Sequence, residues 1–357
     1  MTRARDIADL AGAADAGTVT GDNVIINGDM AVAQRSTSAS ASDGSYVSLD
    51  RYLTSVSGGG AYTLSQETDT PSGQGFKNSM KVTVDTADSS IATTDYYVVQ
   101  YRIEGQNIPH FMLGTSDAIK VTLSFWVKSS LTGNFGASLI NDSVNRSYPF
   151  QYNISTANTW QKITKTIQLD TSGTWLTTNG IGLKIMLDFG SGTTYQGTAD
   201  AWAGANYHTA SSSVQLIGTA SATWYMTGLK LEAGSTATPF QHESYAENLD
   251  KCKRYMQVIG DASASQRISD SFGWTTTIVL PALLWPKEMR ATPTLSTNDV
   301  TKGGIEGNVS KTTTNIQSNV LSKQGGTLFF TTSGLTEDYP YMISMSAGGY
   351  LYLDAEL

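Results

Sequence analysis

The 357-residue sequence predicts an all-β protein in which a single helix joins two β regions. From Val24 onward, short segments rich in β-branched and aromatic residues recur, and clusters of Gly, Ser, Asn and Asp separate them without helical periodicity. One segment, residues 244–256, has the pattern of an amphipathic helix. We therefore expect an N-terminal anchor helix and linker (1–22), a jelly-roll β-sandwich (23–243), a linker helix (244–256) and a C-terminal antiparallel β-sandwich or small barrel (257–357).

The N-terminal segment predicts a helix of about ten residues, which is short for an isolated helix in water. Thr2 can cap it, and Ile7, Leu10 and Ala14 share one side. Such a helix needs a surface to dock on. An anchor on another protein, or a small bundle with sister chains, is one interpretation, and a frayed chain end is the other.

The clearest strand pattern of the first β region runs from Ala118 to Lys128. Apolar residues at odd positions from Ile119 to Val127 alternate with mostly polar residues, so we expect one buried face and one mostly hydrated face. Further strands are predicted within 81–84, 96–103, 160–167, 181–187 and 222–231. A jelly roll is the most economical arrangement of this many strands.

The linker helix carries its own start signal. Ser244 and Glu247 form the Ser-x-x-Glu capping box. Tyr245, Leu249 and Cys252, followed by Tyr255 or Met256, recur at spacings of four and three and predict one apolar stripe. Cys252, the single cysteine, lies on that stripe, so we expect a buried structural thiol and no disulfide within the chain.

The C-terminal region contains three glycine pairs, 303–304, 325–326 and 348–349, which we expect at tight hairpin turns. The apolar runs 328–330 and 350–352 predict exposed contact surface. Together with the unpartnered N-terminal helix, they favour a homo-oligomer, most simply a homotrimer.

Composition and charge exclude several classes of function. With 23 basic and 31 acidic residues the net charge is −8, and no basic cluster occurs, which argues against nucleic-acid binding. The longest apolar stretch, 278–285, is too short to span a bilayer, and the first residues lack the apolar core of a secretory leader. We therefore expect no membrane insertion, and synthesis in a cytoplasm.

No catalytic motif is recognisable. The three histidines, His110, His208 and His242, lack metal-protease spacing, and neither a nucleophile elbow nor a nucleotide-binding glycine motif is present. We expect a protein that is not an enzyme and has no catalytic residues. A glycosidase needs only two carboxylates that the fold brings together, so a polysaccharide-degrading enzyme remains the alternative.

Three short motifs resemble a family of bacteriophage virion proteins of the tail-fibre or receptor-binding type. They are NGDMAVAQR at residues 27–35, DRY at 50–52, and PFQHESYAENLDKCKRY at 239–255. The resemblance covers roughly residues 23–256. It implies a sandwich similar to carbohydrate-binding modules, a virion location, contact with other tail or head proteins through the N-terminus, and binding of host cell-surface polysaccharide. A head fibre or capsid decoration protein, and a polysaccharide-degrading tailspike, are the alternatives.

The resemblance also suggests a structural calcium between the first and last strands of the sandwich. Asn27, Asp29 and Glu232 offer the oxygen ligands that suit this hard cation, and no other cofactor is expected. The alternative is that Asn27 belongs to an ordinary turn and that Glu232 is a surface acid.

Residues 188–214 form a long polar stretch that carries several aromatic residues, as binding loops do. Trp202 and Tyr207 are the main candidates for glycan contact, and Tyr195 and Trp175 are secondary ones. Asn206, Asp200 and Gln196 can bond sugar hydroxyls. The alternative is that these rings fold back over the edge of the sandwich.

Overall fold

The structure is a computed structural model that describes residues 21–357. These residues form two compact units: the first runs to Asn248 and also includes Leu357, and the second spans Leu249–Glu356. The predicted N-terminal helix lies outside the described residues. The described part of the chain is almost entirely β, as the sequence predicts.

Thirteen strands belong to the first unit. They are β1 (Ser38–Ser40), β2 (Tyr52–Ser57), β3 (Ala61–Glu67), β4 (Ser79–Thr86), β5 (Tyr96–Glu104), β6 (Lys120–Ser129), β7 (Gly133–Ile140), β8 (Ser147–Ile154), β9 (Gln161–Gln168), β10 (Ile181–Ser191), β11 (Gln196–Gly197), β12 (Thr209–Ala210) and β13 (Thr223–Ala233). Short 3₁₀ turns lie at Gly105–Asn107, Pro109–Phe111, Thr193–Tyr195 and Leu216–Gly218.

Two antiparallel sheets form the sandwich. The six-stranded sheet has the order β1-β3-β4-β13-β6-β9, and the five-stranded sheet has the order β2-β5-β10-β7-β8. One continuous apolar core, with side chains such as Val121 and Phe125 from the first sheet and Tyr101 and Leu187 from the second, joins their inner faces. This arrangement agrees with the predicted jelly-roll sandwich.

Strand β6 differs in one detail from the prediction made from its sequence pattern. Its inner residues are fully buried as predicted, but Thr122, Ser124 and Lys128 on the supposedly hydrated face are buried as well. Thr122 donates to the main chain of Gly234 at 2.8 Å, and the Lys128 ammonium lies 4.2 Å from the ring centre of Tyr225. The side chain of Tyr225 on the neighbouring strand β13 and the main chain just after β13 thus contact a face that strand alternation predicts to be hydrated.

Helix α1 (Tyr245–Lys253) follows the sandwich and begins at the predicted capping box. The main-chain nitrogen of Ser244 donates to Glu247 Oε2 at 3.0 Å, and the Glu247 nitrogen donates back to Ser244 Oγ at 3.3 Å. Cys252 is buried as predicted, but Tyr245 is 59% exposed, and the polar Asn248 is buried instead. No helix among residues 21–357 is long and apolar enough to cross a membrane.

The second unit contains eleven short strands and the 3₁₀ turn Val300–Lys302. The strands are β14 (Met256–Ile259), β15 (Gln266–Phe272), β16 (Ile278–Val279), β17 (Ala282–Leu284), β18 (Thr294–Thr297), β19 (Gly303–Glu306), β20 (Ser310–Thr312), β21 (Asn315–Leu321), β22 (Gly325–Thr331), β23 (Pro340–Met345) and β24 (Leu351–Asp354). They form three sheets, β14-β24-β18, β15-β23-β19-β20, and β16-β22-β17 with β21 also on β22. All three described sheets are open, so the small-barrel alternative is not realised.

Two expectations for this unit were wrong. The pairs 303–304 and 325–326 lie within strands. Glycine is needed at position 325 because a side chain would collide with the neighbouring strand: a Cβ on Gly325 would lie 2.5 Å from the Leu283 carbonyl oxygen. Only the third pair supplies a left-handed turn, at Gly348 with φ 74°. In the predicted exposed runs, Leu328, Phe330 and Leu351 are fully buried and contribute to the core of this unit.

Candidate functional site

An open cleft of about 240 Å³ lies on the outer face of the five-stranded sheet. Side chains from four strands form its floor: Ser55 from β2, Gln100 and Arg102 from β5, Lys184 and Met186 from β10, and Ile140 from β7. Their positions follow from strand alternation, since the residues between them face the core. Buried Val98, Ile140 and Met186 form a small apolar cluster beneath the polar side chains.

The wall of the cleft comes from the long polar segment after β10. This segment is ordered by the short parallel pair β11 and β12 and by a 2.9 Å bond from the His208 nitrogen to the Tyr195 carbonyl. Tyr195, Asn206 and His208 thereby face the cleft. Residues 188–214 form a structured segment that supplies part of the wall, where the sequence pattern indicated a loop without regular structure.

Three rings build the aromatic part of the wall. Tyr195 stacks on His208 with ring centres 4.3 Å apart and planes 9° apart. Tyr96 meets both rings edge-on, at 5.4 Å from Tyr195 and 5.5 Å from His208. The mutual packing fixes the rings in one arrangement and leaves a rigid surface beside the polar floor.

Two buried polar atoms of the wall, Asn206 Oδ1 and His208 Nδ1, have no hydrogen-bond partner among the protein atoms. His208 is only 5% exposed, and burial lowers the pKa of its imidazole to about 4, so the ring is neutral at pH 7. A buried polar atom without a partner costs about 1–3 kcal/mol. Unsatisfied atoms of this kind in a native structure call for an explanation, and a bound ligand is one.

A buried carboxyl group supports the wall from below. Asp188 on β10 is fully buried, and Ser191 Oγ donates to its Oδ1 at 2.5 Å. Burial raises the pKa of Asp188 to about 7, which the bonds from Ser191, Gly190 and Thr209 only partly offset. Its second oxygen, Oδ2, has no partner. Asp188 does not line the cleft, so its position is that of a support for the segment that forms the wall.

Of the seven residues predicted to contact glycan, Tyr195 and Asn206 line this cleft. Trp202 lies outside it: its indole N–H donates to the Gln168 carbonyl at 2.8 Å, and its ring packs edge-on against Trp175, with centres 5.6 Å apart. Trp175 is 91% buried and donates to the Ser172 carbonyl. These two rings cover an edge of the sandwich, which is the alternative that the sequence left open.

The remaining three candidates also lie outside the cleft. Tyr207 packs onto Gly197, where an added Cβ would lie 2.3 Å from its ring. Asp200 pairs with Lys165 at 2.6 Å, and Gln196 donates to the Ser191 carbonyl at 2.8 Å. All three hold the segment in place.

Sequence reasoning missed most of the cleft. Ser55, Tyr96, Gln100, Arg102, Lys184 and His208 were not singled out as site residues. The sequence did contain a signal for the cleft floor. Gln100 and Arg102 lie two residues apart in an otherwise apolar strand, so they share one face of it, and Lys184 interrupts a second apolar strand. What the sequence lacked was the register that places those strands side by side.

The predicted calcium ligands already have protein partners. Asn27 Oδ1 accepts from the Val32 nitrogen at 2.9 Å. Asp29 Oδ1 accepts from Asn248 Nδ2 at 2.7 Å, and desolvation raises the pKa of its carboxyl. Both Glu232 oxygens accept from Thr238, and Glu232 is also paired with Lys230 at 3.2 Å.

No cluster of three or more His, Cys, Asp or Glu side chains able to hold a metal occurs within residues 21–357. The calcium site therefore stays a prediction.

The motif residues behind the virion resemblance form a buried structural network instead of a ligand site. Asn27 Nδ2 donates to the Asp50 carbonyl at 3.0 Å, and the Asn27 nitrogen donates to Asn248 Oδ1 at 3.1 Å. Arg51 is buried and donates to the Arg102 carbonyl at 2.7 Å. Gly28 passes so close to β13 that a Cβ would lie 2.2 Å from the Leu229 carbonyl oxygen.

No protein-family model and no curated protein matches the chain. Among solved structures it is similar to the enzymatically active domain of tailspike protein 4 of bacteriophage CBA120, with 12% identity and a TM-score of 0.32 over 59% of this chain and 21% of that one. It is also similar to the family 11 carbohydrate-binding module of cellulase Lic26A-Cel5E of Clostridium thermocellum, with 13% identity and a TM-score of 0.29 over 55% of this chain and 94% of the module. For TmCBM61 in complex with β-1,4-galactotriose, the values are 9% identity and a TM-score of 0.30 over 60% and 100%.

This chain therefore spans about a fifth of the length of the tailspike domain. With TM-scores of 0.32 and below, these likenesses carry no argument about function. What the cleft can bind has to be argued from its own side chains.

Proposed function

We propose that the first unit is a carbohydrate-binding domain that holds host-surface glycan in the cleft of the five-stranded sheet. The observation that carries the proposal is the convergence, in one open cleft, of polar side chains on a rigid sheet and a fixed aromatic wall. Sugars present both hydroxyl groups and apolar C–H faces, so a site of this composition complements them.

Each part of the cleft has a role in this proposal. Tyr195 and Tyr96 offer ring surface to the C–H face of a sugar, and Ser55 and Gln100 on the floor offer donors and acceptors to its hydroxyls. Asn206 and His208, whose buried Oδ1 and Nδ1 have no partner among the protein atoms, complete the wall beside this floor. Because burial lowers the pKa of His208, its neutral ring can accept a hydrogen bond at physiological pH.

We propose binding without cleavage. Hydrolysis of a glycosidic bond generally requires two carboxyl groups at the scissile bond, and neither Asp nor Glu is among the described residues that line the cleft. Asp188 has the raised pKa of a general acid but is buried below the wall. The polysaccharide-degrading tailspike is therefore the weaker alternative.

For the whole chain we propose a structural bacteriophage virion protein, a homotrimeric tail fibre or receptor-binding protein that serves host adsorption. Its support is the order of the motifs in 27–35, 50–52 and 239–255, and the exposed apolar side chains of the second unit, Phe272, Trp274, Leu284 and Val320. Attachment to other virion proteins through the N-terminus belongs to the same proposal. A head fibre or decoration protein is the alternative location.

Binding of isolated host polysaccharide, measured by calorimetry, tests the cleft. Tyr195→Ala is expected to weaken binding about tenfold, because it removes ring surface from the wall. Tyr225→Ala, the same change on the outer face of the six-stranded sheet, is the matched control and should bind as the wild type does. Equal binding by Tyr195→Ala and the wild type would remove the cleft from the proposal.

Trp202→Ala separates the cleft from the earlier candidate. Since Trp202 packs on the sandwich edge, its loss is expected to lower the melting temperature while the folded variant still binds glycan. A variant with an unchanged melting temperature and no binding would move the site to Trp202. Released oligosaccharide in the same incubation would show cleavage, and labelled antibody on intact particles would distinguish tail from head.

A further inference from the structure

Two positively charged side chains stand directly opposite each other on the floor of the cleft. Arg102 on β5 and Lys184 on β10 are register partners in the antiparallel ladder, so both project from the same face of the sheet. Like charges in directly opposed positions destabilise a sheet. The pair is unusual in a chain whose net charge is −8.

From this pair we infer that the cleft selects glycans that carry an anionic group, a carboxylate or a sulfate, and that Arg102 and Lys184 hold that group. The inference rests on the proposed function and narrows its ligand class. An anion between the two cations would replace their repulsion with two attractions, and the planar guanidinium of Arg102 can bind a carboxylate through two parallel hydrogen bonds.

Both cations line the cleft and already have partners within the chain. Lys184 is 92% buried, and its ammonium donates to the Asp142 carbonyl at 2.9 Å and lies 3.5 Å from the partly exposed Asp142 carboxylate. Arg102 directs Nε and Nη2 at the neutral Gln100 Oε1 over 3.3 and 3.2 Å, and Nη1 also donates to a main-chain oxygen of Leu357, the last residue. The Nε and Nη2 groups of Arg102 therefore make two long hydrogen bonds to one neutral oxygen, where a carboxylate could accept two stronger ones.

The charges around the pair are mixed. Burial lowers the pKa of Lys184, the Asp142 carboxylate raises it, and the neighbouring Arg102 lowers it further. The other carboxylate near the cleft, Asp43, accepts from Ser55 Oγ at 2.7 Å and from the Tyr96 hydroxyl at 3.4 Å, and so lies at the Ser55 and Tyr96 end.

The test is binding of the full-length protein to an array of neutral, carboxylated and sulfated oligosaccharides. Wild-type protein is expected to retain anionic glycans at least about tenfold better than neutral ones of the same backbone, as one charge-assisted hydrogen bond allows. Arg102→Gln and Lys184→Gln should lose that preference. Lys162→Gln, which removes the same charge from β9 on the other sheet, should keep it, and Lys184→Arg should keep most of it.

The salt dependence of the wild type is a second measurement that needs no variant. Raising the salt concentration from roughly 0.05 to 0.5 M should reduce the preference, because the attraction is screened. Equal retention of neutral and anionic glycans would overturn the anion site and leave glycan binding standing. Retention of no glycan at all would overturn both. Carboxylated and sulfated spots show which anion the site prefers.

Discussion

The two units of the chain differ in how fully they bury their largest apolar side chains. In the first unit, Trp224 and Tyr62 are fully buried, and the outer face of the five-stranded sheet carries a polar cleft. In the second unit, Trp274 is 66% exposed and Leu284 is 88% exposed, although a separate core of buried side chains is present. The first unit thus buries its largest rings in its own core, whereas the second presents apolar surface of the kind that protein contacts use.

The largest expected effect is on the stability of the first unit, when an aromatic ring is removed from its core. Trp224 packs edge-on against Phe189 at 5.0 Å, and its indole N–H donates to the Tyr152 hydroxyl at 3.1 Å. Trp224→Ala is expected to destabilise the sandwich by about 3–5 kcal/mol, seen by denaturant unfolding as an earlier transition of the first unit. An unchanged unfolding curve would contradict the assigned core.

The second effect is pH dependence in the first unit. The folded pKa of Asp188 is raised to about 7 from its ordinary value of 3.8, so its contribution to stability is present at low pH and is lost as pH rises from about 4 to 7. At 1.36 kcal/mol per pKa unit the loss is on the order of 4 kcal/mol. Asp188→Asn should remove this loss, measured as melting temperature against pH.

His208 acts in the opposite sense. Its folded pKa is lowered to about 4, so stability is lost as pH falls from about 6.5 to 4. In the wild type the two contributions largely offset each other across that window. His208→Gln should therefore become less stable as pH rises, and Asp188→Asn more stable. Identical profiles for both variants would contradict the opposed shifts.

The third effect concerns calcium, which the sequence placed in the first unit. A site formed by Asn27, Asp29 and Glu232 would raise stability by about 2.7 kcal/mol at a hundredfold excess of calcium over Kd. Only the melting transition of the first unit should move when chelator is added. Superimposed curves would show that calcium adds nothing to the bonds that these three residues make to Val32, Asn248 and Thr238.

The smallest effect on folding is expected in the exposed rings of the second unit. Trp274→Ser and Leu284→Ser should change chain stability by no more than about 0.5 kcal/mol. They should instead weaken association, so light scattering would change from about three times the chain mass of 38.1 kDa toward that mass. A wild type that is already monomeric at micromolar concentration would contradict the homotrimer.

Local patterns predicted the elements of this fold well, because capping and alternation act over a few residues. The capping box at Ser244 and the inner face of β6 are examples. Features that depend on which strands become neighbours were missed: the covered outer face of β6, the strand glycine Gly325, and the Arg102–Lys184 pair. The register between distant strands is set by the whole core. The sequence analysis therefore identified candidate residues in the loop and missed those on the cleft floor.

The network around Asn27 also determines the order in which the first unit can be completed during synthesis. Asn248 from helix α1 accepts from the Asn27 nitrogen and donates to Asp29, and the opening segment pairs with β13 through the bond from the Leu229 nitrogen to the Gly28 carbonyl. A chain still growing on the ribosome therefore lacks both the last strand and the helix that fix its first residues. The bonds that hold Asn27 and Asp29 can all form only once α1 has emerged, so a nascent chain stopped before Asn248 leaves its opening segment incompletely bonded.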